Sequence, residues 1–177
     1  MRLTLLFVAL WPFALTAQPT ARAGDEIVHF ETGVICAPET VGTAPAPGTV
    51  AGTTNIIATD PPFVSTGNRV PAVLGIGFGV KAKVGDPAGI DEVLVTITHP
   101  PMGRDGAEVQ TFASRISGID PSLTFYQFDY TYELVTGPWT IRAEKDGRVI
   151  YKAAFQVLPP QMVPELAAIC GFEDLLS

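Results

Sequence analysis

The sequence predicts an all-β domain, built as a two-sheet sandwich of about seven strands. Three observations carry that prediction. Apolar and polar residues alternate with period two along several stretches, most clearly Val70–Val84 and Leu123–Val135. Glycine (17) and proline (16) are frequent and punctuate those stretches. No long segment has the 3.6-residue period of an amphipathic helix.

The chain opens with Met1–Arg2, an apolar run Leu3–Leu15 and the small-x-small sequence Ala21–Arg22–Ala23. A positive start, an apolar centre of about a dozen residues and a small-residue end make a secretory signal peptide. The run falls short of the roughly 20 apolar residues that span a bilayer. Residues 1–23 are therefore expected to be a signal peptide, leaving one domain over residues 24–177 in a periplasmic or secreted location. The whole chain carries a net charge of −7. Cleavage would remove Arg2 and Arg22, leaving nine basic against eighteen acidic residues, a net charge of −9. Such a surface repels phosphate backbones and anionic lipids, so neither nucleic acid nor a membrane surface is an expected partner. No later apolar stretch predicts a membrane span after cleavage.

Within the domain, Glu26–Cys36 reads as the first strand, with Val28, Phe30 and Val34 on one face. Residues 37–69 are a long Pro/Gly/Ala/Thr stretch, interrupted by the apolar Asn55–Ala58. They are expected to run over the surface as a loop with room for one short edge strand. Val70–Val84 reads as a single strand. Its even positions, including Leu74, Ile76, Phe78 and Val80, face inward, and Gly75, Gly77, Gly79, Lys81 and Lys83 face the other way. Gly85–Gly89 marks a turn, Glu92–His99 the next strand, and Arg104–Asp105–Gly106 a turn into Ala107–Ser117. Leu123–Val135 places Tyr126, Phe128, Tyr130, Tyr132 and Leu134 on one face. Gln127, Asp129, Thr131 and Glu133 lie on the other. After Thr136–Gly137–Pro138, the inward set is Trp139, Ile141 and Ala143, then Val149, Tyr151, Ala153, Phe155 and Val157.

The register of the last hairpin follows from its turn. A two-residue loop at Asp146–Gly147 would pair Lys145 with Arg148 and mix the two faces. A three-residue loop, Lys145–Asp146–Gly147, pairs Glu144 with Arg148, Ile141 with Tyr151 and Trp139 with Ala153, with Gly147 left-handed. The three-residue register is the one predicted. In immunoglobulin-like order, the first strand, Val70–Val84 and Leu123–Val135 form one sheet. Glu92–His99, Ala107–Ser117 and the last hairpin form the other, with Trp139 between them.

The C-terminal tail, residues 159–177, carries a short helical turn at Glu165–Cys170. Cys36 and Cys170 are the two cysteines, and in an oxidising compartment they can pair in one way. That disulfide would tie the first strand to the tail and, in the chain-entropy model, contribute roughly 4–5 kcal/mol. Metal ligation and a reactive thiol are the weaker readings, since zinc wants four well-spaced ligands and only His29 and His99 could join.

Each candidate for chemistry has a structural reading beside it. The row Gly75/Gly77/Gly79 lies within a strand, outside the strand–turn–helix setting of a phosphate loop. It reads as a bare face where a backbone or ring packs closely, ahead of the floor of a ligand groove. His99–Pro100–Pro101–Met102, with His29 or Met162, could hold copper, but His99 also simply ends a strand and Met102 can close an apolar edge. Asp129 and Glu133 are expected to be solvated on an outward face. The stripe Tyr126/Phe128/Tyr130/Tyr132 reads as inward packing; exposure would favour a sugar-stacking platform. Nucleophile-elbow, zinc-hydrolase and phosphate-loop patterns are absent, so no catalytic residue and no cofactor is assigned.

Several segments together resemble the bacterial domain-of-unknown-function 3859 family. They are Val70–Pro71 with Gly75–Ile76–Gly77–Phe78–Gly79, His99–Pro100–Pro101, Glu133 through Ile141, and Phe155–Gln156–Val157. The resemblance implies a small, exported, immunoglobulin-like β domain and supplies no activity or ligand. The expected function is a non-catalytic binding or accessory module of the cell envelope, with another envelope protein as partner. A carbohydrate or copper binder is the alternative, and a hydrolase with an unannounced site the next.

Overall fold

A computed structural model describes residues 21–176; most of the expected leader, residues 1–20, lies outside the described residues. Eleven strands form among them. They are β1 (Arg22–Ala23), β2 (Ile27–Ile35), β3 (Thr40–Pro45), β4 (Thr53–Ile57), β5 (Arg69–Pro71) and β6 (Gly77–Val84). They continue with β7 (Ile90–Met102), β8 (Ala107–Ile116), β9 (Ser122–Gln127), β10 (Gly137–Lys145) and β11 (Arg148–Leu158). The larger sheet runs β1–β11–β10–β7–β8, with β5 laid parallel on β11. The second sheet is β2–β6–β9, and β3–β4 form a two-stranded sheet of their own.

The seven expected strands are present and divide between the two main sheets as predicted. Their inner faces share one apolar core. Phe78 on β6 meets Phe155 on β11 at 4.9 Å and the edge of Trp139 on β10 at 5.6 Å between ring centroids. Trp139 is fully buried, and its indole N–H donates to the Val135 carbonyl at 3.1 Å. Cys36, just past β2, is bonded to Cys170 at the end of the short helix α1 (Ala167–Cys170). Val163, Leu166 and Phe172 of the tail bury against the core beside that link.

Four further strands raise the count above seven, and the main departures are places where distant contacts overrode a local expectation. Val70–Val84 is two strands. The chain leaves the larger sheet after β5 and enters the other at β6, and Gly75, at φ +83°, makes the crossing. Leu74 is exposed as a result. Residues 37–69, expected as a surface loop with room for one short edge strand, hold the two-stranded β3–β4 hairpin. Leu123–Val135 is a strand only to Gln127; Thr131–Glu133 is a 3-10 turn. A register shift between Ile27 and His29 turns Val28 outward.

The β10–β11 hairpin adopts the two-residue turn, not the three-residue one. Asp146 (φ +51°) and Gly147 (φ +76°) are both left-handed, and Lys145 pairs with Arg148. This is the primed turn whose twist matches the flanking strands. A bulge between Ala143 and Glu144 shifts the ladder, so that Trp139 faces Phe155 and Ile141 faces Ala153. Ile150 is the extra residue: it is buried beside Tyr151, and Val149 is turned out. The like charges at the turn are separated by their own partners, Lys145 by Glu92 at 3.1 Å and Arg148 by Glu26.

Candidate functional site

The β3–β4 hairpin roofs a cleft of about 370 Å³ along the side of the sandwich, between the edge strands β8 and β9. From the hairpin come Thr43, Thr53, Thr54 and Asn55; from β8, Gln110 and Phe112; from β9 and the following turn, Tyr126, Gln127, Asp129, Tyr130 and Glu133. That size lies within the range of about 300–1,000 Å³ common for small-molecule sites.

The roof is pinned by polar groups, from exposed to buried. The Val50 N–H, between β3 and β4, donates to Gln110 Oε1 at 2.8 Å. Gln110 Nε2 meets His99 Nε2 at 3.1 Å, and His99 Nδ1 donates to the Pro100 carbonyl at 2.8 Å. The imidazole stacks on Trp139 at 4.6 Å. Burial pushes His99 below its ordinary pKa, so it stays neutral and passes the hairpin's hold into the core. Asn55 Nδ2 donates to Asp129 Oδ2 at 2.8 Å, and the Thr111 N–H donates to the Gly48 carbonyl at 2.9 Å.

Glu133 is the largest departure from the sequence reading. It is buried, only 3% exposed. The 3-10 turn swings its carboxylate inward, where it accepts from Tyr126 Oη at 2.8 Å and from the N–H groups of Asp129 (2.6 Å) and Tyr130 (2.9 Å). Burial raises its pKa, and those hydrogen bonds pull the other way. Burial, with the Glu133 charge beside it, also drives the Tyr126 phenol far above its ordinary value. Asp129 is exposed as expected, and its two oxygens take Asn55 and the Gln127 amide. Because Gln127 Nε2 is fixed on Asp129 at 2.9 Å, Gln127 Oε1 is the free end; it is buried and has no partner.

The tyrosine stripe divides. Tyr126 and Phe128 pack inward around Trp139, at 5.0 and 5.8 Å. Tyr130 and Tyr132 are exposed and stack on each other at 5.2 Å with planes 6° apart.

The glycine face is occupied by the chain itself. A side chain at Gly33 or Gly79 would collide with Phe63 and Ser65, or with the β9 backbone. Lys81 donates to the Pro61 carbonyl at 2.7 Å and lies over the Phe63 ring. Thus the segment around Phe63 fills the space that a groove would need. His99, with both nitrogens committed, offers no lone pair to copper, and Met102 is buried in the core. His29 is on the other sheet beside Glu31, and Met162 is exposed in the tail. Among the described residues, no three His, Cys, Asp or Glu side chains gather into a metal-binding group. No helix among them is long and apolar enough to cross a membrane.

Asn55, Gln110 and Gln127 escaped the sequence reading. Gln110 had a signal: it shares the inward parity of Phe112 and Ile116 on β8, where a polar residue needs a buried partner. Asn55 and Gln127 had none, since the groups that surround them come from segments far along the chain.

The strands and the roofed cleft define a small β-sandwich domain with a polar–aromatic pocket between two edge strands. The DUF3859 family, described as a domain of unknown function, matches residues 25–157. The chain belongs to that family. It is also similar to an immunoglobulin-like protein from Pseudomonas aeruginosa, at 18% identity and a TM-score of 0.47, over 80% of this chain and 99% of that one. No curated protein matches it.

Proposed function

We propose that this protein is an exported, non-catalytic recognition domain of the cell envelope, periplasmic or secreted, which binds through the hairpin-roofed side of its sandwich. One observation carries the reading: β3–β4 stands outside both main sheets, with Val41 and Ile56 exposed on it, above a cleft. A projecting two-stranded element with free edges is a common means of gripping another protein. The Cys36–Cys170 bond supports export, because such bonds persist in oxidising compartments.

Recognition is favoured over reaction by the state of the carboxylates. An acid–base catalyst needs an oxygen aimed at the substrate. Both oxygens of Glu133, and both of Asp129, are taken by donors of the protein.

The test is site-specific photo-crosslinking in the envelope of the native cells, with the probe at Ile56 or, as control, at Leu94. A discrete protein adduct from Ile56 alone is expected, on a chain that begins near Gly24 with both cysteines bonded. Equal adducts from the two positions, free thiols, or substrate turnover lost in Glu133→Gln would overturn the reading.

A further inference from the structure

We infer that the cleft beneath the β3–β4 hairpin is a subsite for an uncharged saccharide, which stacks on Tyr130 and donates its hydroxyls to the amide and hydroxyl groups around it. The inference rests on the binding reading above and adds the chemical class of the ligand.

Two features meet there. First, Tyr130 lines the cleft while exposed, and Tyr132 stacks behind it in a parallel pair. A ring held flat and wet at a pocket edge costs apolar hydration, and it suits the C–H face of a pyranose. Second, the lining has no Lys, Arg or His. Its polar groups include Thr40, Thr43, Thr53 and Thr54, with Asn55 and Gln127. Hydroxyls and amides pair with hydroxyls, and nothing in the cleft offers a counter-charge to a phosphate or a carboxylate. Asp129 and Glu133 instead repel an anion.

The hairpin adds entry. It is held by the Val50–Gln110 and Asn55–Asp129 bonds together with backbone contacts such as Thr111–Gly48. Such a roof can lift while the sandwich stays folded.

The full chain is expressed with its leader, and the protein recovered from the periplasm is titrated with neutral disaccharides (cellobiose, maltose and N,N′-diacetylchitobiose). Digalacturonate is the anionic comparison, and backbone NMR shifts report binding. At least one neutral disaccharide is expected to saturate the shifts of residues 53–57 and 127–133. Tyr130→Ala should weaken it at least tenfold, and Tyr130→Phe, which keeps the ring, should retain it within about twofold. Both variants should melt close to the parent. Absence of saturation by every neutral sugar, equal binding by Tyr130→Ala, preference for digalacturonate, or release of monosaccharide would each overturn the inference. If sugars fail while the Ile56 protein adduct remains, the saccharide subsite falls and the recognition reading stands. Loss of both removes both.

Discussion

Two hairpins of this molecule use the same device to opposite ends. β10–β11 has long strands and a two-residue turn. It inserts Trp139, Ile141, Ala143, Tyr151, Ala153 and Phe155 into the core, all essentially without exposure. β3–β4 has strands of six and five residues, rich in threonine and largely exposed. Its ties to the body are mainly polar: Val50 to Gln110, Asn55 to Asp129, Thr111 to Gly48. Burial makes the first a scaffold. Polar tethering makes the second a roof, whose local stability should be the lower of the two.

The contrast is most directly undone at Trp139. Trp139→Ala removes the ring that Phe78, Phe128, Tyr126 and His99 all touch. It should destabilise the whole domain by about 3–5 kcal/mol, read by urea unfolding. The Cys36→Ala/Cys170→Ala pair comes next. It opens a closure across 134 residues and should lower stability by about 2–5 kcal/mol, with the β-sheet circular dichroism retained at 25 °C.

Gln110→Ala should distinguish the two hairpins. It leaves the Val50 N–H without its acceptor and His99 without its neighbour, at about 1–3 kcal/mol. Hydrogen exchange should quicken over residues 46–57 much more than over residues 137–158; equal quickening would show that the roof is part of the scaffold. Asn55→Ala should do least, since it removes one exposed bond to Asp129. It should change the melting temperature little and raise exchange in β4 alone.

The pH response bears on the same pair of elements. His99 has a native pKa below its ordinary 6.5, so the unfolded chain takes up that proton first and stability falls as pH drops below 6.5. Glu133 acts with the opposite sign. Its native pKa lies above the ordinary 4.5, so its contribution to folding is fully present below 4.5 and is lost as pH rises through the native value. Thermal melts of the parent and His99→Gln between pH 7.5 and 5.5 should show a decline in the parent that the variant flattens.

Much of the scaffold was legible in the residues. Period-two alternation is a local property, and Ile76, Phe78, Val80, Ala82 and Val84 are buried as their parity says. The glycines on the opposite face of β6 do receive close backbone and side-chain packing, and Gly33 beside them on β2 takes the Phe63 ring. The hairpin turn was less legible, because the pattern of facing charges gives no sign of a bulge. Once Ile150 is an extra residue, the turn with the best twist and the correct apolar faces coexist. The candidate site was least legible. Glu133 sits at an outward parity of a strand that ends six residues earlier, and once the chain turns, parity no longer says which way it points.

The residues alone were enough for the all-β class, the membership of the two main sheets, the central tryptophan and the pairing of the two cysteines. These follow from period-two burial and from having one possible partner, both of which are properties of short segments or of composition. The folded whole had to supply where strands stop, which hairpin stands apart as a roof, and that Glu133, Gln110 and Gln127 are drawn beneath it. Those outcomes depend on groups brought together from distant segments, and no local pattern encodes which of them will satisfy a buried one.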